Sequence, residues 1–324
     1  MSQFASALIA WQRKHGRHGL PWQGSRDPYR IWLAEVMLQQ TQVGAVIPYY
    51  ERFIKKYADV KALAAASEDD VLRLWSGLGY YARGRNLHAA AIQIAARGFP
   101  KSLGEIMQLP GVGRSTAAAI AAFAFGERAA ILDGNVKRVL ARRFGVTGEP
   151  ALWRLAERLL PRRGIEAYTQ ALMDLGATVC TRRQPRCDAC PVRGPCVARK
   201  QDRIDELPAP RPRKILPRRK ATWFVYVRDA EVLLERRPGK GLWGGLWSFP
   251  ETRLYRSATS RKLAPMEHGF THFRLRIQPV LCEVGKRTSN AEAPGRLWLD
   301  VAEAAGAAVP APVRTLLGRL REVR

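Results

Sequence analysis

The sequence predicts a multidomain protein, an all-α first part followed by a small α+β module, and three observations carry that prediction. Capped segments with helical periodicity succeed one another over residues 4–200. A basic, proline-rich stretch containing PAPRPRKILPRRK then occupies residues 201–220 and reads as an extended, charged linker. Beyond it come runs of strand character, TWFVYV, EVLLER and FRLRIQPVLCEV, with a glycine- and tryptophan-rich segment, GLWGGLWSFPE, among them and a final helix near Val313 to Arg321. At 324 residues the chain is long enough for each part to bury its own core.

Charge narrows the partners. Lys and Arg number 54 against 28 Asp and Glu, a formal net charge of +26. A polyanion is the natural counterpart, nucleic acid first and a membrane surface second, although an arginine-rich composition alone does not specify one. No apolar tract is long enough to span a bilayer, and Met1 to Trp22 is too polar and interrupted for a secretory signal, so a cytoplasmic location is expected.

A first helix is predicted from Phe4 to Lys14, ended by Leu20-Pro21-Trp22. Asp27 before Pro28 fits an N-cap followed by the favoured first helical position. The helix it starts, YRIWLAEVMLQQTQV, places Glu35, Gln39 and Gln42 on one face at i, i+4 and i+7. Trp32, Leu33, Val36, Met37 and Leu38 flank Glu35, a setting that desolvates a carboxylate and favours the protonated form a general acid needs. A surface glutamate on an amphipathic helix is the plainer alternative. Ser67 with Asp70 starts another helix, which stops before Gly77-Leu78-Gly79-Tyr80-Tyr81. The aromatic and arginine mixture from Tyr80 to Asn86 suits bases and phosphates, or else simply plugs a core edge.

From Ser102 to Val139 the pattern is helix, glycine turn, helix, capped turn. Ser102 and Glu105 have capping-box spacing, and Gly111-Val112-Gly113 interrupts before an alanine-rich helix from Arg114 to Phe125, closed by Gly126. Free N–H groups at that new N-terminus suit an anion such as phosphate, although the glycines also serve an ordinary helix-turn-helix corner. Asp133 precedes Gly134-Asn135-Val136-Lys137 as the N-cap of the next helix, where N–H groups and the dipole are expected to keep it ionised. A protonated Glu35 and an ionised Asp133 form the contrasting carboxylate pair used to break glycosidic bonds.

Cys180, Cys187, Cys190 and Cys196 are spaced C-x6-C-x2-C-x5-C, apart from the lone Cys282. In a reducing compartment this spacing points to a metal centre, and one short pair with two longer gaps suits a 4Fe-4S cluster better than zinc. Arg182, Arg183, Arg186 and Arg193 stud the same loop, a second place to hold phosphate.

With these residues laid out, the chain resembles the MutY-type adenine DNA glycosylases of the helix-hairpin-helix superfamily. AEVMLQQTQV, GLGYYARGRN, LPGVGRSTA, ILDGNVKRV and the four-cysteine spacing carry the resemblance, in order and over nearly the whole length. It implies a catalytic domain over residues 1–200, with a helix-hairpin-helix lobe at about 25–130 and an iron-sulfur lobe from 1–24 and 131–200, then the 201–220 linker and a Nudix-like domain over 221–324. It further implies a monomeric enzyme that removes adenine opposite 8-oxoguanine or guanine in duplex DNA, with no membrane partner. Glu35 would protonate the flipped adenine and Asp133 would stabilise or capture the sugar cation. Gln39 and Tyr80 match positions that fill or wedge the duplex, Asn135 and Gln170 match pocket positions, and Gly111, Val112 and Gly113 anchor the strand. Ser115 stands where the related glycosylase-lyases carry a Schiff-base lysine, which implies a monofunctional enzyme. Phe270-Thr271-His272 matches the family's Phe-Ser-His loop for 8-oxoguanine, with Thr for Ser. Between the tryptophan-rich strand and this loop only Glu251 to Glu267 intervenes, too short for the helix usual there, and the acidic metal motif of a pyrophosphohydrolase is missing. Two rival classes remain at this point: a glycosylase-lyase for oxidised pyrimidines, and a non-catalytic DNA-binding iron-sulfur protein or redox module.

Overall fold

The computed structural model describes residues 3–209, 215–255, 259–285 and 294–322. Its contacts divide the chain into two compact units, Met1–Ala65 with Asn86–Pro212, and Ala66–Arg85 with Arg213–Arg324. The second unit thus takes in a stretch, Ala66–Arg85, that lies inside the expected 1–200 domain. At the linker, residues 210–214 lie outside the described ones, while Leu207 is buried in the first unit and Arg218 already opens a strand.

The helices in chain order are α1 (Gln3–His15), α2 (Pro28–Leu38), α3 (Val43–Lys56), α4 (Val60–Ala65), α5 (Glu68–Trp75), α6 (Tyr81–Arg97), α7 (Leu103–Ile106), α8 (Arg114–Phe125), α9 (Gly134–Phe144), α10 (Glu149–Arg158), α11 (Ile165–Thr178) and α12 (Val197–Lys200). Their ends follow local chemistry. The Asp27 carboxylate accepts from Tyr29 N, Ser102 and Glu105 form the expected capping box, and Gly126 and Gly145 close α8 and α9 at left-handed φ of 68° and 69°. In the first unit α2 packs on α8, and α11 packs on α1, α8 and α9. Ala117 to Ala122 of α8 are all buried with only Ile120 larger than alanine, which lets neighbouring helices approach closely.

One expectation is corrected. The α2 helix ends at Leu38, because Gln39 turns extended (φ −55°, ψ 114°) and Gln40 goes left-handed at φ 56°. Gln39 is therefore a C-cap and Gln42 the N-cap of α3, so the two do not share a helical face with Glu35. Tertiary contact explains the early stop, since Gln39 Nε2 donates to Gly111 O and to Thr116 Oγ1, each at 3.2 Å.

In the second unit a seven-stranded mixed sheet is built from β1 (Arg218–Arg228), β2 (Glu231–Arg236), β3 (Trp247–Ser248), β4 (Thr259–Lys262), β5 (Met266–Gly269), β6 (Arg274–Glu283) and β7 (Arg296–Asp300). Its order is β3-β2-β1-β6-β4, with β5 also on β6 and β7 on β2, and only β1 and β6 run parallel. Two helices, α13 (Val301–Gly306) and α14 (Ala311–Glu322), complete it, the second covering the expected final helix. Trp223, Leu234, Phe249, Ile277, Val313 and Leu317 meet in its core, joined by Leu72 of α5. Between Glu251 and Glu267 the described residues hold β4, the start of β5 and no helix.

Candidate active site

Glu35 sits mid-way along α2, whose residues Ile31 to Ala34, Val36 and Met37 are all buried. With so little water available to solvate an anion, burial pushes the carboxyl up to about 8, and the negative charge of Asp133 adds to the push. Asp133 reaches the same place from the start of α9, held in extended backbone while its Oδ1 accepts from Val136 N at 2.7 Å. Burial also raises Asp133, against the downward pull of the Val136 and Asn135 N–H groups and of Arg138. The expectation that capping alone governs Asp133 is corrected accordingly: desolvation outweighs the cap. The Asp133 charge raises Glu35 further, whereas the N–H groups and Arg138 offset part of the rise at Asp133. Asp133 therefore ionises before Glu35 does.

The glycine turn and α8 frame this pair. Gly111 needs a left-handed φ of 76°, and a Cβ there would meet the Asn86 side chain at 2.8 Å. At Gly113, the N-cap of α8, a Cβ would meet nothing within 4 Å, so the backbone at this helix start is open to an approaching anion. Val112 is buried and anchors the turn. Two residues into the hairpin's second arm, Ser115 Oγ accepts from Leu132 N at 3.0 Å. That bond ties the α8 helix to the segment delivering Asp133. Replacing Ser115 with Ala should orphan the N–H of a residue only 3% exposed, costing about 1–3 kcal/mol in a thermal melt.

The other end of α9 grips the cysteine loop. Arg138 Nε donates to Cys180 O at 2.7 Å, and its Nη2 to Gly176 O at 2.6 Å and Asn135 Oδ1 at 2.8 Å. Arg142, 4% exposed, donates to the carbonyls of Thr181, Arg182, Ile204 and Leu207 and lies 3.7 Å from Cys180 Sγ. All four cysteines are free thiols lining one cavity with Arg142, Arg193 and Arg199. Burial, with the other three sulfurs behind it, holds the Cys190 thiol up at about 11, so that thiol ionises only against strong positive charge. Among the described residues no group of three or more His, Cys, Asp or Glu is placed to hold a single metal ion. Four sulfurs lining one cavity with guanidinium groups around them are a donor set for a centre that binds thiolates.

Asn135 also belongs beside Asp133, whose carboxylate accepts from it. Asn135 is held by Arg138 and packs on Gly176, where a Cβ would come within 2.6 Å of Asn135 Cβ. Gln170 donates to Asp174 Oδ1 at 2.9 Å. Tyr80 and Phe270-Thr271-His272 belong to the second unit. Tyr80 is 45% exposed, left-handed at φ 50°, with the Arg83 guanidinium over its ring. Phe270 stacks on Phe273 at 4.4 Å, leaving Thr271 and His272 exposed at the tip of the β5–β6 hairpin.

This geometry can be set beside known proteins. Residues 33–161 match the family described as HhH-GPD superfamily base excision DNA repair protein, and residues 222–319 match the NUDIX domain. The adenine DNA glycosylase of Buchnera aphidicola subsp. Acyrthosiphon pisum (strain APS) is 33% identical, covering 98% of this chain and 98% of its own length. The chain belongs to the adenine DNA glycosylase family. The adenine DNA glycosylase of Homo sapiens is 32% identical, with 95% of this chain matched to 72% of that one. A thermostable thymine-DNA glycosylase structure overlays with a TM-score of 0.57 at 30% identity, covering 61% of this chain and 95% of that chain. Endonuclease III in a non-covalent DNA complex shares the helical fold at a TM-score of 0.54, over 62% and 96% of the two chains, at 22% identity. As an adenine DNA glycosylase the protein is a hydrolase of N-glycosyl bonds, with a Nudix-like second domain.

Three residues of this adenine DNA glycosylase escape a sequence reading. Arg138 and Arg142 look like surface cations, and only their i, i+4 spacing behind Asp133 hints at a shared buried face. Asp174 is fully buried and held by Arg17, whose Nε reaches Oδ1 at 2.7 Å and whose backbone N reaches Oδ2 at 3.0 Å. Its signal was available, a lone carboxylate in the apolar run ALMDLG, the same pattern that marks Glu35.

Proposed function

We propose that this adenine DNA glycosylase excises adenine paired with 8-oxoguanine or guanine in duplex DNA, without lyase activity. The observation that carries the chemistry is Glu35, held protonated to about 8 beside the ionisable Asp133. The adenine is swung out of the duplex to reach them. Glu35 gives its proton to a ring nitrogen of adenine, the C–N glycosidic bond breaks with its electron pair leaving on the base, and the sugar becomes an oxocarbenium-like cation. Asp133 stabilises or transiently captures that cation, and water completes the hydrolysis. Ser115 supplies no amine, so no imine forms with the sugar. Exposed Thr271 and His272 support a role for the hairpin tip in reading the opposite base, and exposed Tyr80 one as a wedge.

Cys180, Cys187, Cys190 and Cys196 would hold a 4Fe-4S cluster. Such a cluster supplies positive charge for four thiolates and a fixed core for the arginine-rich loop. Arg138 and Arg142 then carry that rigidity along α9 toward Asp133.

Incubation with a duplex holding adenine opposite 8-oxoguanine, then hot alkali, should cut the adenine strand. Borohydride added during turnover should trap no covalent adduct. An intact strand sinks the substrate assignment, and a strong adduct sinks the monofunctional one.

A further inference from the structure

The outer face of the second domain's sheet carries a set of cations that neither the fold nor the excision chemistry uses. In the parallel β1–β6 pair Arg218 is registered with Arg274 and Lys220 with Arg276. Registered residues project from the same face, strands lie about 4.8 Å apart, and successive same-face residues about 6.6 Å apart along each strand. Four cations thus share one small patch. All four are exposed, while the alternating Leu275 and Ile277 of β6 turn inward and are 3% and 0% exposed. Like charges placed directly across a ladder destabilise it. Among the described residues none of the four has an ion-pair partner, and the carboxylate registered with them, Glu267 opposite Arg276 on β5, leaves an excess of positive charge.

Position adds meaning to the charge. Arg274 is registered with Gly269, and those two residues close the hairpin whose tip is Phe270-Thr271-His272. The patch therefore begins where that tip ends, on strands whose inner side is rigid core. Sheet-borne cations fixed at two spacings suit a regular row of anions better than a flexible acidic peptide, and duplex DNA presents one charge for about every 1.7 Å of axis.

We propose that Arg218, Lys220, Arg274 and Arg276 form a phosphate-binding face through which the second domain grips the DNA backbone beside the hairpin tip. The contact is independent of sequence and sets how firmly the tip is held against the duplex. This rests on the reading of duplex DNA as the substrate, and it is tested by binding rather than excision, so a failure of one leaves the other standing.

The full chain is compared with a variant carrying Arg218→Thr, Lys220→Thr, Arg274→Thr and Arg276→Thr, by fluorescence anisotropy on an undamaged labelled duplex across a salt series. Each lost phosphate contact lowers the slope of log affinity against log salt by about 0.9, so a decrease of roughly 2 to 4 is expected. At low salt the affinity should fall at least about tenfold, with the two curves converging at high salt. A variant carrying Arg218→Lys, Arg274→Lys and Arg276→Lys should keep most of the slope. Removing four clustered like charges should leave the melting temperature unchanged or raised, which separates lost contact from lost fold. An unchanged slope, or an equal loss of affinity at every salt concentration, overturns the proposal. So does a patch that governs binding to phosphatidylserine vesicles but not to the duplex.

Discussion

Replacing Glu35 with Gln should abolish adenine excision for practical purposes and make the folded protein more stable above neutral pH. The amide keeps the shape of the side chain but has no proton to give. General acid catalysis contributes about 10² to 10⁴ in rate, and the single-turnover excision rate should fall by that order. In the wild type excision should weaken as pH rises through about 8, where Glu35 loses its proton. It should also weaken in acid, as Asp133 becomes protonated. Stability moves with the same proton. The folded value lies above the unfolded value of 4.5, so between 4.5 and about 8 the folded state binds more protons than the unfolded one, and stability falls as pH rises through that window. At about 1.4 kcal/mol per unit the full gap corresponds to on the order of 5 kcal/mol, and the partial exposure of Glu35 reduces it. Glu35→Gln should therefore melt with wild type at pH 4 and clearly above it at pH 8.5. A melting difference independent of pH would separate Glu35 from the buried proton.

The parts of this protein legible in its sequence are those written in short-range chemistry. Asp27, Ser102, Gly126 and Asp133 all cap where their spacing places them, because caps depend only on residues one turn away. Glu35 is legible for a related reason, since its apolar neighbours on α2 are also its neighbours in space. Gln39 and Gln42 mislead because nothing local ends that helix at Leu38; the stop comes from Gly111 and Thr116, more than seventy positions away. Arg138 and Arg142 are missed for the same cause. A buried charge is made tolerable by partners that the fold brings from far along the chain, Cys180 and Leu207 for the arginines and Arg17 for Asp174. The net pull on Asp133 is likewise decided by burial, which the cap pattern does not record.

Arg142 gives the largest expected loss of stability away from the carboxylates. Its guanidinium spends its donors on the carbonyls of Thr181 (2.7 Å), Arg182 (3.0 Å), Leu207 (2.8 Å) and Ile204 (3.2 Å), and its own carbonyl accepts from Cys196 Sγ at 3.4 Å. One side chain thus joins α9, the start of the cysteine loop and the segment after α12. Arg142→Met keeps much of the volume but leaves those carbonyls without their donor, and the loss should reach roughly 3–5 kcal/mol in denaturant unfolding. Arg142→Lys should recover part of it, because one ammonium has the charge but cannot span four acceptors at once. The cysteines provide a second readout. With the loop loosened, Cys180 and Cys196 should react faster with a thiol reagent, and iron bound per chain should fall if the four thiolates hold a cluster. Excision should suffer less than in Glu35→Gln, since Asp133 keeps its bond from Val136 N and its tie through Leu132 to Ser115. If thiol reactivity and stability both match wild type, the arginine is not what holds the loop to α9.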